Sequence, residues 1–120
     1  MITKATEFDN GKFRQGIILF NSGEFFKAHE VWEELWLVSA RSDKLFLQGM
    51  IQLAAAFHHY SRDNRNGTKS LLEAGLKKLE QFPDEFRGVD LNALRGSANN
   101  WLAALAKAGA ATSDTPPRIE

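Results

Sequence analysis

Apolar residues recur at helical spacing along almost the whole chain, and this periodicity constrains the fold more than any other feature of the sequence. No segment of useful length alternates between apolar and polar residues as a half-buried strand does. From Leu45 to Phe57 the apolar residues point in nearly every direction around a helix. That pattern is typical of a helix at the centre of a bundle, so the sequence predicts an all-α fold built around this segment.

The same periodicity predicts a single bundle of about five antiparallel helices, because short connections favour antiparallel neighbours. Residues 1–108 are expected to form one domain, and residues 109–120, which include Pro116 and Pro117, a disordered C-terminal tail. Ser42 or Asp43 is the expected N-cap of the third helix, and Pro83 marks the end of the fourth. The expected helices span about residues 9–21, 24–38, 44–60, 67–82 and 91–107.

A weak internal repeat accompanies the helical pattern. Gly23 and Gly67 each precede a helix that has apolar residues five, nine and twelve positions further on. This rhythm resembles tetratricopeptide-type hairpins, but two imperfect copies are fewer than the roughly three repeats that a solenoid needs. We therefore expect a closed bundle that contains tetratricopeptide-like hairpins.

Composition narrows the class of protein. A chain of 120 residues is long enough for one hydrophobic core, and its 15 basic residues balance 15 acidic ones, so no net charge attracts nucleic acid or an anionic membrane. The absence of cysteine excludes disulfides, zinc–thiolate sites and cysteine nucleophiles. No apolar run approaches the roughly 20 residues of a membrane span, and the N-terminus has no apolar signal segment, so we expect a cytoplasmic protein.

Two polar stripes on otherwise apolar helices are the signs of chemistry in this chain. His29 and Glu33 lie one turn apart on the second helix, and Gln48, Gln52 and His59 share one side of the third. Burying such side chains costs free energy unless they bond to one another, to water or to a ligand. The stripes therefore predict a site, and they converge if the edge of the second helix meets the small-residue side of the third.

One interpretation of these stripes is a metal or acid–base site. His29, Glu33 and His59 would bind a divalent ion with a position left for water, and His29 and Glu33 would be the catalytic groups. Gln48 and Gln52 would orient water or substrate, with Glu30, Trp32 and Trp36 as further pocket residues. The segment His-Glu-Val-Trp-Glu lacks the second histidine of the zinc-protease motif, and the paired Glu-x-x-His motifs of di-iron bundles are also missing.

The other interpretation is structural. His29 and Glu33 would form an intrahelical pair, the glutamines would complete a buried hydrogen-bond network, and His58 would be a packing residue. The chain would then be a helical interaction module without catalytic activity, and its partner an unknown peptide rather than a small molecule. A homodimer is a further expectation, because Ile18, Phe26 and Leu37 lie off the main apolar faces of their helices.

Three segments of the chain resemble a known family: FNSGEFFKAHEVWEELW, FLQGMIQLAAAFHHYSRDNRNG and LLEAGLKKLEQFP. From about Phe13 to Pro83 the chain is similar to the prokaryotic domain of unknown function 309 family. This resemblance implies a small all-helical bundle, and the family is sometimes labelled a predicted metal-dependent hydrolase with no established substrate. The characteristic polar positions of the family correspond here to His29, Glu30, Glu33, Gln48, Gln52 and His59.

Overall fold

The computed structural model of the protein describes residues 11–107 and 117–119. Within these residues the chain forms five helices and one short hairpin. The helices are α1 (Lys12–Asn21), α2 (Phe25–Leu37), α3 (Arg41–Ser61), α4 (Arg65–Leu79) and α5 (Leu91–Ala106), and the hairpin strands are β1 (Glu85–Phe86) and β2 (Val89–Asp90). The all-α prediction is therefore confirmed.

The α1–α2 hairpin turns at Gly23, whose φ of +82° is a left-handed conformation that glycine adopts readily. The Trp32 indole covers Gly16 so closely that a Cβ atom at Gly16 would lie 2.0 Å from Trp32 Nε1. Trp32 Nε1 also donates a hydrogen bond to the backbone oxygen of Phe13, at 3.1 Å. These contacts fix α2 on α1 and bury the large ring.

Helix α3 is the central helix, as predicted, and it packs against both α2 and α4. Phe46, Leu53 and Phe57 are each 1% exposed or less. Gly49 of α3 faces Gly75 of α4, and a Cβ atom at Gly75 would lie 3.0 Å from the Gly49 oxygen. The two glycines therefore allow the backbones of α3 and α4 to approach closely.

Helices α4 and α5 are each capped by a side chain and are tied to each other. Asn64 Oδ1 accepts from the Gly67 N–H, and Asp90 Oδ1 accepts from the Ala93 N–H, each at 2.9 Å. Arg95 of α5 donates to the backbone oxygens of Leu79 and Phe82, both at 3.0 Å. These bonds satisfy backbone groups at the C-terminal end of α4, where the helix itself supplies no partner.

Several predicted boundaries were wrong. Helix α3 begins at Arg41 with Ala40 as its N-cap, so Ser42 and Asp43 lie in the first turn rather than at the cap. Helix α4 ends at Leu79, before Phe82, and the hairpin of β1 and β2 was not predicted. Residue 9, where the first helix was expected to begin, lies outside the described residues.

Most of the expected tail, residues 109–120, also lies outside the described residues. Within the tail, Pro117 and Ile119 are buried. In the described part of the chain, no helix combines the length and apolar character that a membrane crossing requires.

Candidate functional site

The α2 stripe places a partly buried histidine beside an exposed carboxylate. His29 Nε2 lies 3.4 Å from Glu33 Oε1, and the exposed fractions of the two side chains are 22% and 55%. Glu30 is exposed and lies on the solvent side of the helix. His29 and Glu33 are therefore close enough to pair, which agrees with both interpretations of the stripe.

The two tryptophans of α2 have different environments. Trp32 is completely buried in the core and its N–H is bonded to Phe13, so it has a structural role. Trp36 is half-buried, and Lys44 Nζ lies 4.4 Å from the centre of its ring. A cation at this distance over an indole face is attracted by the ring electrons. Only Trp36 of the pair is placed to contact a ligand.

The three residues of the α3 stripe have different surroundings. Gln48 is exposed, and the Cβ atom of half-buried Gln52 lies against the position of Gly75 on α4. His59 Nδ1 lies 3.1 Å from Asn64 Nδ2. Because Asn64 Oδ1 accepts from the Gly67 N–H, the Nδ2 group must be the donor in this contact, so His59 accepts at Nδ1.

His58, rather than His59, is the α3 histidine that lies against α2. The Phe26 ring is 5.1 Å from the His58 ring and 5.3 Å from the His29 ring, measured between centroids. Burial lowers the pKa of His58, and the nearby Arg62, His59 and His29 lower it further. The sequence predicted His58 as a packing residue, and its ring packs against Phe26 of α2.

The residues predicted to bind a metal are not brought together as a ligand set. His29 is paired with Glu33 on α2, whereas His59 is bonded to Asn64 at the end of α3. Over residues 11–107 and 117–119, no group of three or more His, Asp or Glu side chains is placed to hold a metal ion. A metal site at His29, Glu33 and His59 stays a prediction. It requires a third metal ligand beside His29 and Glu33, and in this geometry His59 is bonded to Asn64 instead.

Three buried polar atoms in the described residues have no hydrogen-bond partner, and all three belong to predicted site residues. They are His29 Nδ1, Trp36 Nε1 and Gln52 Oε1. An unpaired buried polar group costs about 1–3 kcal/mol, so each of these atoms favours a water molecule or a ligand group nearby.

An open groove lies between the end of α2 and the start of α3. Its volume is about 700 Å³, and we call it the α2–α3 groove. Apolar, cationic and hydrogen-bonding side chains line it together: Trp36, Arg41, Ser42, Lys44, Leu45 and Gln48. Of these residues, Trp36 and Gln48 were predicted from the sequence, whereas Arg41, Ser42, Lys44 and Leu45 were missed because they lie in and just after the first turn of α3.

The fold and this surface define a small helical domain with an open, mixed apolar and cationic groove. Residues 13–71 match the model of the family described as Domain of unknown function (DUF309). The chain belongs to this family through that segment, which covers α1, α2, α3 and the first half of α4. Every predicted site residue lies within it.

Two uncharacterised bacterial proteins are similar to this chain. One, from Aquifex aeolicus (strain VF5), is 32% identical over 77 residues, which are 63% of this chain and 23% of that protein. The other, the uncharacterized protein YpuF of Bacillus subtilis (strain 168), is 34% identical over 68 residues, which are 56% of this chain and 37% of YpuF. The chain thus spans well under half the length of either relative.

Proposed function

We propose that this domain is a helical interaction module that binds an acidic, amphipathic segment of another protein in the α2–α3 groove. The observation that carries the proposal is the exposed apolar surface beside the groove. Leu37 and Val38 directly follow Trp36, and they are 67% and 42% exposed. Exposed apolar side chains near a groove are typical of surfaces that bind other proteins.

The openness of the groove favours a protein segment over a small molecule. Small-molecule sites bury about 70–90% of the ligand surface in a concave pocket. The α2–α3 groove is instead open, and the two residues that follow its Trp36 in the chain, Leu37 and Val38, are exposed. An amphipathic helix can place its apolar face across such a surface, and its contacts would extend beyond the groove.

The charge of the groove indicates an acidic partner. Arg41 and Lys44 both line it, and the Lys44 ammonium group lies over Trp36. Carboxylates beside the apolar face of a bound segment would pair with these two cations. Such complementarity increases the association rate and disfavours basic segments.

The relatives support a modular role. The matched segment makes up 23% of the Aquifex protein and 37% of YpuF. A domain that recurs within longer chains is consistent with a binding module that acts together with other parts of a protein.

A peptide-display selection on the wild-type domain tests the proposal. We expect the enriched peptides to combine apolar residues at helical spacing with Asp or Glu. Their affinity should fall about tenfold or more in Leu37→Lys, because this variant removes an apolar contact, and in the double variant Arg41→Glu with Lys44→Glu, because like charges then face each other. Ile18→Lys is the matched control, because Ile18 is 56% exposed but lies on α1, and this variant should bind as the wild type does. Equal binding by Leu37→Lys and Ile18→Lys would exclude the groove.

The second candidate function is small-ligand binding, with metal-assisted hydrolysis as its catalytic form. It is supported by the unpartnered atoms His29 Nδ1, Trp36 Nε1 and Gln52 Oε1. Elemental analysis of protein purified without chelator or affinity metal tests the catalytic form. A divalent ion that is retained by the wild type and lost in His29→Ala would favour this candidate over the interaction module.

A further inference from the structure

A second surface, at the turn between α1 and α2, holds a segment of the chain in an unusual way. The Asn21 side chain bonds to both backbone groups of Ile119: Nδ2 donates to the Ile119 oxygen at 2.9 Å, and Oδ1 accepts from the Ile119 N–H at 2.8 Å. One amide thus satisfies the donor and the acceptor of one residue, as a neighbouring β-strand would. These two bonds recognise the backbone and do not depend on the Ile119 side chain.

The side chains of the segment alternate between buried and exposed positions. Pro117 and Ile119 are buried, whereas Arg118 is exposed. Ile119 is 3% exposed and belongs to the main hydrophobic core. Backbone bonds combined with burial of every second side chain are the contacts through which proteins bind extended peptides.

The site contains more space than residues 117–119 fill. A cavity of about 470 Å³ lies beside the segment, bounded by the α1–α2 turn, Pro117 and Arg118. Phe20 and Phe25 form part of its wall, with their rings edge to face and 5.1 Å between centroids. The wall is therefore built from rigid aromatic side chains of the core.

The geometry points to a peptide-binding site at the α1–α2 turn, specific for an extended segment with proline two positions before an aliphatic residue. Residues 117–119 of the chain itself occupy this site. An external peptide must displace them, so the site is self-masked. The apparent affinity of the site for an external peptide is its intrinsic affinity multiplied by the fraction of molecules in which the site is empty. This site is separate from the α2–α3 groove.

Fluorescence anisotropy with a labelled peptide of residues 112–120 tests this proposal on the full chain. The peptide should bind Ile119→Ser about tenfold or more tightly than the wild type, because the weakened internal segment leaves the site. Adding Asn21→Ala to Ile119→Ser should remove that gain. Asn21→Asp should remove it as well, since a carboxylate accepts from the N–H but cannot donate to the carbonyl oxygen. A peptide with serine at the position of Ile119 should not bind.

Two further measurements keep the test decisive. The melting temperature of each variant establishes that it is folded, and Pro117→Ser, which weakens the other end of the same segment, must show the same gain as Ile119→Ser. Equal peptide affinity for the wild type and both variants would overturn the proposal. Unchanged peptide affinity in the Asn21 variants would overturn it too.

Discussion

The His58 imidazole couples the contact between α2 and α3 to pH. Its ring lies against Phe26, and burial, Arg62, His59 and His29 all lower its pKa below 6.5. The unfolded chain therefore binds a proton at His58 more readily than the folded chain does. Stability from this group is fully present above about pH 6.5 and is lost as the pH falls through the lowered pKa.

We predict that the melting temperature falls between about pH 7.5 and about pH 5.5, and that His58→Gln reduces this fall. Glutamine is neutral throughout this range, so it removes the cost of burying a charge and of placing that charge beside Arg62. Thermal unfolding followed by circular dichroism at each pH measures the effect. His59→Gln is the matched control and should retain most of the pH dependence. An identical pH dependence in His58→Gln and the wild type would contradict the prediction.

One contact among the candidate site residues could be predicted from the sequence. The spacing of His29 and Glu33 was sufficient to predict their contact, because residues one helical turn apart are neighbours whatever the fold. Contacts between helices depend on which face of α3 meets α2, and α3 has apolar residues on nearly every side. The sequence therefore left open which side of α3 meets α2, and in the structure the His58 ring lies against Phe26 of α2.

At the scale of elements, a partly buried ion pair joins the start of α3 to the hairpin. Arg87 donates to both carboxylate oxygens of Asp43, at 3.1 and 2.6 Å. The Asp43 side chain is only 6% exposed, and Arg87 has a positive φ of 53°. A charge-assisted bond with two contacts is among the stronger hydrogen bonds, so it holds the hairpin in place on α3.

We predict that Asp43→Ala lowers the free energy of unfolding by about 1–3 kcal/mol, since the variant loses both bonds to Arg87. Asp84→Ala is the matched control, because Asp84 also pairs with an arginine, Arg95, but its side chain is 80% exposed. Its loss should cost about 0–1 kcal/mol. Urea denaturation of both variants measures the difference, and equal losses would show that burial of the Asp43 pair does not matter.

Helices were predictable as elements, whereas the hairpin was not. Apolar residues recur at helical spacing along each helix. Pro83 lies between α4 and the hairpin, so it marked the break between α4 and α5. The strands β1 and β2 contain two residues each, which is too short for an alternating pattern to appear. Arg87 and Gly88 form their turn with φ of +53° and +79°, and the pairing of Asp43 with Arg87 spans 44 positions in the sequence. Such long-range contacts have no local signal.

At the scale of the whole molecule, the central position of α3 was predictable because a helix that is apolar on all sides must be surrounded. The buried side chains of α1 to α5 form one continuous cluster around it. The two proposed binding surfaces were less predictable. A groove at a helix junction and the site around Asn21 depend on how elements meet, and neither depends on a sequence motif.

This central packing predicts how stability is distributed along the chain. Helix α3 packs against α2 and α4 along much of its length, whereas α5 packs mainly against α4 and β1. Trp101 of α5 contacts α3, since its ring lies 5.2 Å from Phe57 and 4.9 Å from Tyr60 between centroids. Elements with fewer buried contacts open locally at lower free energy than the whole domain unfolds.

Native-state hydrogen exchange should therefore show the slowest amides in α3, between Phe46 and Phe57, and exchange in α5 should be about tenfold faster or more. Trp101→Ala should widen this difference, because it removes the ring that joins α5 to the end of α3. Leu72→Ala is the matched control, since Leu72 is fully buried on α4 and its loss should accelerate exchange in α3 as well as in α5. If α5 exchanges as slowly as α3 in the wild type, the described helices unfold as one cooperative unit and α3 has no special place in the stability of the domain.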